Sequence, residues 1–416
     1  MPDASSCEEG EKCDAPEDPA KRPLPAQSVE PQGHCAAEEI VRIERPLDVS
    51  DPSAGSFSYA YRIARGTDPS APVVVRIPGG PGQSSSQTDR NAAELPAGAT
   101  MLFTDPRGVG CNVMEGELDD DTFYDSVAFA QDILAALRNE GITDWVLYGT
   151  SYGTALGTIT ASMAEAEGIP PRVVVLEGTL GRTFLGEEEL RGTTQEWAKI
   201  MEAVSPAVRE EFATESPFGL DGAAWGVAMN TFMAMGSFPG VPDAPAQYLG
   251  LLDDPDSSGE VLDLVRSFAV PQPQEPGSER LFASVGCREI ADTVYTPYVL
   301  VEGELVPESA LCEDTELDRP YDAADWPLSM PIIYLQGSAD TRTPMFQALA
   351  HVERQPGARR YFIELDGTGH NPLSLALVSC APDFWEAVFA EGEGLEDMLD
   401  ACVWPTTLTV HEPEPS

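Results

Sequence analysis

Residues Asp144 to Gly157, Asp-Trp-Val-Leu-Tyr-Gly-Thr-Ser-Tyr-Gly-Thr-Ala-Leu-Gly, restrict the possible folds more than any other stretch of the chain. Trp145 to Tyr148 is a short apolar run of strand formers, and from Thr154 onward the small residues read as a helix. Between them stands Gly149-Thr150-Ser151-Tyr152-Gly153, a Gly-x-Ser-x-Gly pentapeptide. A strand that turns straight into a helix leaves no room for side chains on the flanks of the turn. The two glycines provide that clearance, and the serine is held strained with its Oγ raised above the sheet edge. The helix start adds free N–H groups and the positive end of a dipole beside it. The pentapeptide alone arises by accident; its place between a strand and a helix marks Ser151 as a candidate nucleophile.

The surrounding chain keeps the same rhythm. Ile40 to Ile43 and Phe57 to Ile63 alternate like strands, and Val73-Val74-Val75 signals a strand buried on both faces. Pro78-Gly79-Gly80-Pro81-Gly82 follows it, then a core strand at Thr100 to Thr104 and an amphipathic helix through Val127, Ile133 and Leu137. Arg172 to Leu176 is another buried strand. From about Gly181 the alternation gives way to helical stretches such as Thr194 to Val204 and Ala223 to Met235, separated by Gly, Pro and charge clusters. It returns with a strand at Pro331 to Gln336, a helix to Gln355 and a strand at Arg360 to Leu365. Alternating strands and helices predict an α/β fold, a mostly parallel sheet with helices on both faces and a helical cap inserted in it. The expected organisation is a disordered acidic leader over 1–33, a core over 34–180, the cap over 181–328, the rest of the core over 329–404, and a tail over 405–416.

Seventy acidic against 24 basic residues give a net charge of −46, which repels nucleic acid and anionic membrane surfaces. Such an excess suits solubility at high salt, where self-repulsion is screened. No apolar run approaches the 18 or so residues a membrane span needs, so membrane insertion is not expected. The eight cysteines contain no Cys-x-x-Cys pair, so no metal site or other cofactor is expected. Their even number and wide spacing point to disulfides and an oxidising compartment: secreted, periplasmic or at the cell surface. No signal peptide is visible in the chain, and its oligomeric state is left open.

A serine hydroxyl needs a base, and the base needs an acid to fix its tautomer. Of four histidines, His34 ends the leader, His411 lies in the tail and His351 falls within a helix, where a solvent-facing role is expected. His370 alone follows a core strand, in Asp366-Gly367-Thr368-Gly369-His370, and is the candidate base. Asp340, after the strand ending at Gln336, is the candidate acid, with Asp366 and Glu177 as rivals. The order Ser151, Asp340, His370 is that of an α/β-hydrolase. The oxyanion donors are assigned to the N–H groups of Tyr152 and Gly80, with Gly82 as the alternative to Gly80. Asp105, Arg107 and Gly108 are expected to lock the neighbouring loop by an internal salt bridge.

The ordered set Pro78-Gly79-Gly80-Pro81-Gly82, Asp105-x-Arg107-Gly108-x-Gly110, Gly149-Thr-Ser151-Tyr-Gly153, Gly337-x-x-Asp340-x-x-Thr343-Pro344 and Gly367-x-Gly369-His370 resembles the secreted tripeptidyl aminopeptidases and their proline iminopeptidase relatives. Pro78 stands where the iminopeptidases usually carry His, as in the tripeptidyl branch. The resemblance implies a serine exopeptidase acting on peptide substrates with a free N-terminus, and cap carboxylates that hold the substrate's ammonium. Glu187, Glu188, Glu189, Glu289, Glu302 and Glu304 are candidates; Glu289, two residues after Cys287, is preferred. Drawn partly from the resemblance, the expected disulfides are Cys7–Cys13, Cys35–Cys111, Cys287–Cys312 and Cys380–Cys402. Two other readings stay open: an esterase or lipase acting on small acyl esters, and a catalytically silent binding protein on this fold.

Overall fold

A computed structural model describes residues 27–30, 32–116, 120–237, 241, 243–269, 275–312 and 315–414. Most of the expected leader and the Cys7–Cys13 pair lie outside them. Its last described residues are ordered: Gln27 and Ser28 pair antiparallel with Glu115 and Met114.

Nine strands form one sheet: β1 (Ile40–Pro46), β2 (Ser56–Ala64), β3 (Val73–Ile77), β4 (Met101–Thr104), β5 (Trp145–Thr150), β6 (Val174–Glu177), β7 (Ile332–Gly337), β8 (Arg360–Leu365) and β9 (Thr406–His411). Their order is β9-β8-β7-β6-β5-β3-β4-β2-β1. The six from β8 to β4 run parallel, and β1, β2 and β9 are antiparallel to their neighbours. Strand residues divide between two cores by their two-residue period. Val75, Leu147, Leu176 and Tyr334 pack under α1 (Ser126–Glu140) and α2 (Tyr152–Ala166). Val74, Val146, Val175 and Leu335 face Phe384, Trp385 and Leu399 on the opposite side. Burial on both faces explains the continuous apolar runs of the central strands.

Between β6 and β7 the chain builds a cap with a core of its own, including Trp197, Phe212, Trp225 and Phe232. It is not purely helical. Alongside α3 (Gly186–Ala203) and α4 (Gly222–Met235), Tyr298–Val301 pairs with Glu304–Pro307 and Val294–Tyr295 with Ala310–Leu311. These strands are two to four residues long, too short for alternation to register. The expected tail is also corrected. Residues 406–411 form β9, paired with β8 from Leu365↔Thr406 to Arg360↔His411. An edge strand left half-exposed lacks the apolar content that identifies core strands.

Cys35–Cys111, Cys287–Cys312 and Cys380–Cys402 are bonded. Three disulfides are consistent with an extracellular location, and no helix among the described residues is long and apolar enough to cross a membrane.

The expected salt bridge within the 105–108 loop does not form. Asp105 instead accepts the N–H groups of Ser85 and Ser86, both at 2.8 Å, and of Cys111 at 3.0 Å. Arg107, fully buried, turns to Asp132 on α1 with bonds of 2.6 and 3.0 Å. Arg45 of β1 reaches the same carboxylate at 2.7 Å. Replacing Asp132 by Ala strands a buried guanidinium, so D132A should lose about 3–5 kcal/mol of unfolding free energy in urea titrations.

Candidate active site

Ser151 joins β5 to α2 with φ +56° and ψ −126°, a conformation that L residues rarely occupy. The flanking glycines are sterically required. A Cβ on Gly149 would lie 2.2 Å from the Gly153 carbonyl oxygen, and one on Gly153 would lie 2.5 Å from that of Ile77. The Ser151 N–H donates to the Glu177 carbonyl at 2.9 Å, registering the turn against β6.

The loop after β8 brings His370 to the same sheet edge. Its N–H donates to the Ala234 carbonyl at 2.7 Å, and that of Gly369 to Met235 at 2.9 Å, so the end of α4 holds this loop. His370 Nδ1 lies 2.9 and 3.1 Å from the two carboxylate oxygens of Asp340. Asp340 also accepts N–H bonds from Arg342 and Thr343 at 2.8 and 3.0 Å, and the Thr343 hydroxyl at 2.8 Å. Burial alone would raise its pKa; the His370 ring and the Thr343 donors outweigh burial and hold it below the ordinary value. The rivals are engaged elsewhere. Glu177 takes the Tyr148 hydroxyl at 2.6 Å and the Leu373 N–H at 2.8 Å. Asp366 takes the Ser338 hydroxyl at 3.2 Å.

Ser151, His370 and Gly80 line one cavity of about 300 Å³, walled by Leu180, Phe184, Phe282, Ile290 and Val294. No hydrogen bond joins Ser151 Oγ to the His370 ring, a looseness common before substrate is bound. The N–H groups of Tyr152 and Gly80 find no acceptor among the described residues. Gly82, the alternative to Gly80, does not line the cavity.

The other histidines are placed differently from expectation or outside the site. His351 is fully buried, bonded to the Thr158 hydroxyl at 2.9 Å and the Tyr334 hydroxyl at 2.8 Å. Burial pushes its pKa down to about 3, so it stays neutral. His34 lies against the Cys35–Cys111 disulfide, whose sulfurs are bonded to each other.

Glu289 is not in the cavity. Its carboxylate accepts the Ser126 hydroxyl, which in turn meets the Tyr152 hydroxyl at 2.8 Å, and it pairs with Arg319 at 3.3 Å. It braces the π-helical stretch Phe282–Ile290 of the cap against the start of α1. The carboxyl that does line the cavity is Glu189 on α3, only 6% exposed, with Oε2 unpartnered. Burial pushes its pKa up to about 7, against the pull of Arg342 and a backbone bond from Tyr295. A sequence signal for it exists. Glu189, Thr193, Trp197 and Ile200 fall on one helical face, all buried, so this glutamate occupies an apolar-stripe position. Glu187 is exposed and Glu188 pairs with Arg182 at 2.8 Å. Glu302 and Glu304 are exposed.

A family model described as "alpha/beta hydrolase fold" matches residues 72–213. No curated protein matches the chain in sequence. Solved structures are remotely similar. An esterase from a Rhodococcus species is 17% identical, covering 84% of this chain and 98% of that one, at a TM-score of 0.43. A thermophilic esterase from Thermogutta terrifontis is 14% identical, covering 85% and 99%, at 0.45. The proline iminopeptidase of Mycobacterium smegmatis is 14% identical, covering 87% and 100%, at 0.41. Likeness at this distance says nothing of substrate.

Burial also raises the Glu289 pKa to about 7, well above that of an unfolded glutamate. The native state therefore holds this proton more tightly. Its contribution to stability is complete below about pH 4.5 and is lost as pH rises through about 7. In urea titrations E289Q should show a flatter dependence between pH 5 and 8, and exceed the parent above pH 7 by roughly 1–3 kcal/mol.

Proposed function

We propose that this chain, which has the α/β-hydrolase fold, is a serine hydrolase that removes residues from the free N-terminus of peptides. The observation that carries the reading is Glu189, a buried carboxyl with an unpartnered oxygen in the cavity shared by Ser151 and His370. A buried, incompletely paired carboxyl costs free energy unless a cation completes it. The terminal ammonium of a peptide is a cation of the right size, carried close to the first scissile bond.

The chemistry follows from the geometry. Asp340 holds Nδ1 of His370, leaving Nε2 to take the Ser151 proton as Oγ attacks the carbonyl carbon. The oxyanion is received by the N–H groups of Tyr152 and Gly80. His370 then protonates the departing amine, and water reverses the sequence on the acyl-enzyme. The apolar walls would also accommodate the acyl chain of a small ester, the competing reading. A silent binding protein is the third.

An organophosphate should label Ser151, and S151A should lose about 10⁴–10⁶ in kcat. Labelling of no serine would leave the silent protein. Substrate panels separate the other two. Peptides with a free N-terminus should be cleaved much faster than N-acetylated ones, and short p-nitrophenyl esters should show no such preference. E189Q should raise KM for free-N-terminus peptides roughly 10- to 100-fold and leave ester turnover unchanged. With the Glu189 pKa near 7, kcat/KM for those peptides should fall as pH drops through about 7, because the protonated carboxyl no longer attracts the ammonium. Equal turnover of blocked and free peptides would sink the reading.

A further inference from the structure

The cavity beside Ser151 carries a second charge to which the peptidase reading assigns no task. Arg342 lies in the 338–344 loop after β7 and lines the same cavity as Ser151, Glu189 and His370. Its backbone N–H is fixed by Asp340 at 2.8 Å. Its half-buried guanidinium makes no hydrogen bond and no ion pair with any described residue. Its field reaches Glu189, yet the two do not form an ion pair.

Twelve arginines among the described residues form ion pairs with carboxylates; Arg342 is one of those that do not, and it lines the cavity. Arg182, Arg319 and Arg354 each have a carboxylate at 2.6 to 2.8 Å. Arg342 lines the cavity of Ser151 with its guanidinium donors unpaired, and a planar fork of this kind is matched by a carboxylate. The volume of about 300 Å³ sits at the lower end of the range for small-ligand sites and is enough for a short peptide. In a short peptide the terminal carboxylate lies only a few bonds from the first scissile bond.

We propose that Arg342 receives a carboxylate of the substrate, so that the site selects short peptides offering an ammonium to Glu189 and a carboxylate to Arg342. The ammonium half rests on the N-terminal peptidase reading; the carboxylate half does not.

Calorimetry on the full chain carrying S151A tests the two halves separately, because it needs no turnover. The probes are trialanine, its C-terminal amide, its N-acetyl form, and an amide carrying one aspartate. The amide should bind about 10- to 100-fold more weakly than the free acid, the range of one charge-assisted hydrogen bond. R342Q should remove that difference, and R342K, which keeps the charge but not the fork, should restore part of it. Recovery of affinity by the aspartate amide would identify a side-chain carboxylate as the group recognised; failure to recover would identify the terminal one. Equal binding of acid and amide, or no binding of the acid at millimolar concentration, would overturn the proposal. So would loss of both alike in R342Q and R342K, which would make Arg342 only a counter-ion for Glu189. A penalty for the amide without one for the N-acetyl form would retain the carboxylate site and reject the N-terminal reading.

Discussion

The site is registered from one close passage, where the carbonyls of Ile77 and Pro78 lie against Gly153. A Cβ there would stand 2.5 and 2.6 Å from those two oxygens, so β3 and the start of α2 approach as backbone against backbone. That approach places the Gly79–Gly80 loop beside Ser151, where a Cβ on Gly79 would sit 3.0 Å from the serine's own Cβ. Gly80 and Ser151, the proposed oxyanion donor and nucleophile, are thus neighbours for a steric reason. The strain at Ser151 is sustained by the parallel strands on both sides, which are pinned by continuous ladders.

Charge is handled by a second rule: most buried carboxylates are given several donors. Asp340, Asp105, Asp132 and Glu177 each accept several hydrogen bonds from backbone or side-chain donors. Asp105 and Asp340 lie in loops after β4 and β7, Glu177 ends β6 and Asp132 stands on α1; the three that end or follow strands lie at the carboxyl ends of the parallel sheet, where a doubly wound sheet places its ligands. Glu189 departs from the rule, and it departs inside the cavity. Such a departure is more informative than the acidity of the chain, which mostly coats its surface.

The sequence displayed the core because parallel strands buried on both faces write themselves as apolar runs, and because Ser151, Asp340 and His370 stand in loops directly after such runs. The cap was less legible. Its choice of carboxylate depends on packing: nearness to Cys287 favours Glu289 in the sequence, yet a disulfide immobilises a residue without aiming its side chain. Glu189 was distinguishable from Glu187 and Glu188 by helical phase, since only it continues the stripe through Thr193 and Trp197. The strands of the cap are only two to four residues long, too short for period to show, while β9 at the sheet edge is placed by β8, some forty residues earlier in the chain. His351 misled for the converse reason. Its helix gave no sign that one face was fully buried, with two hydroxyls waiting for the ring.

The cap and the His370 loop are joined backbone to backbone. The Ala234 and Met235 carbonyls at the end of α4 hold the backbone of His370 and Gly369, and Gly236 packs against Gly369 so closely that a Cβ would meet its nitrogen at 2.4 Å. A second tie runs from Glu289 through the Ser126 hydroxyl to Tyr152, the residue whose N–H is proposed to receive the oxyanion. The helix carrying Glu189 shares a core with α4 through Trp197, Trp225 and Phe232, so it is packed to the helix that holds the His370 loop. On the proposed function, a substrate charge held at Glu189 would be registered against the reacting carbonyl through these packed elements, which is how binding energy from a remote group serves the transition state.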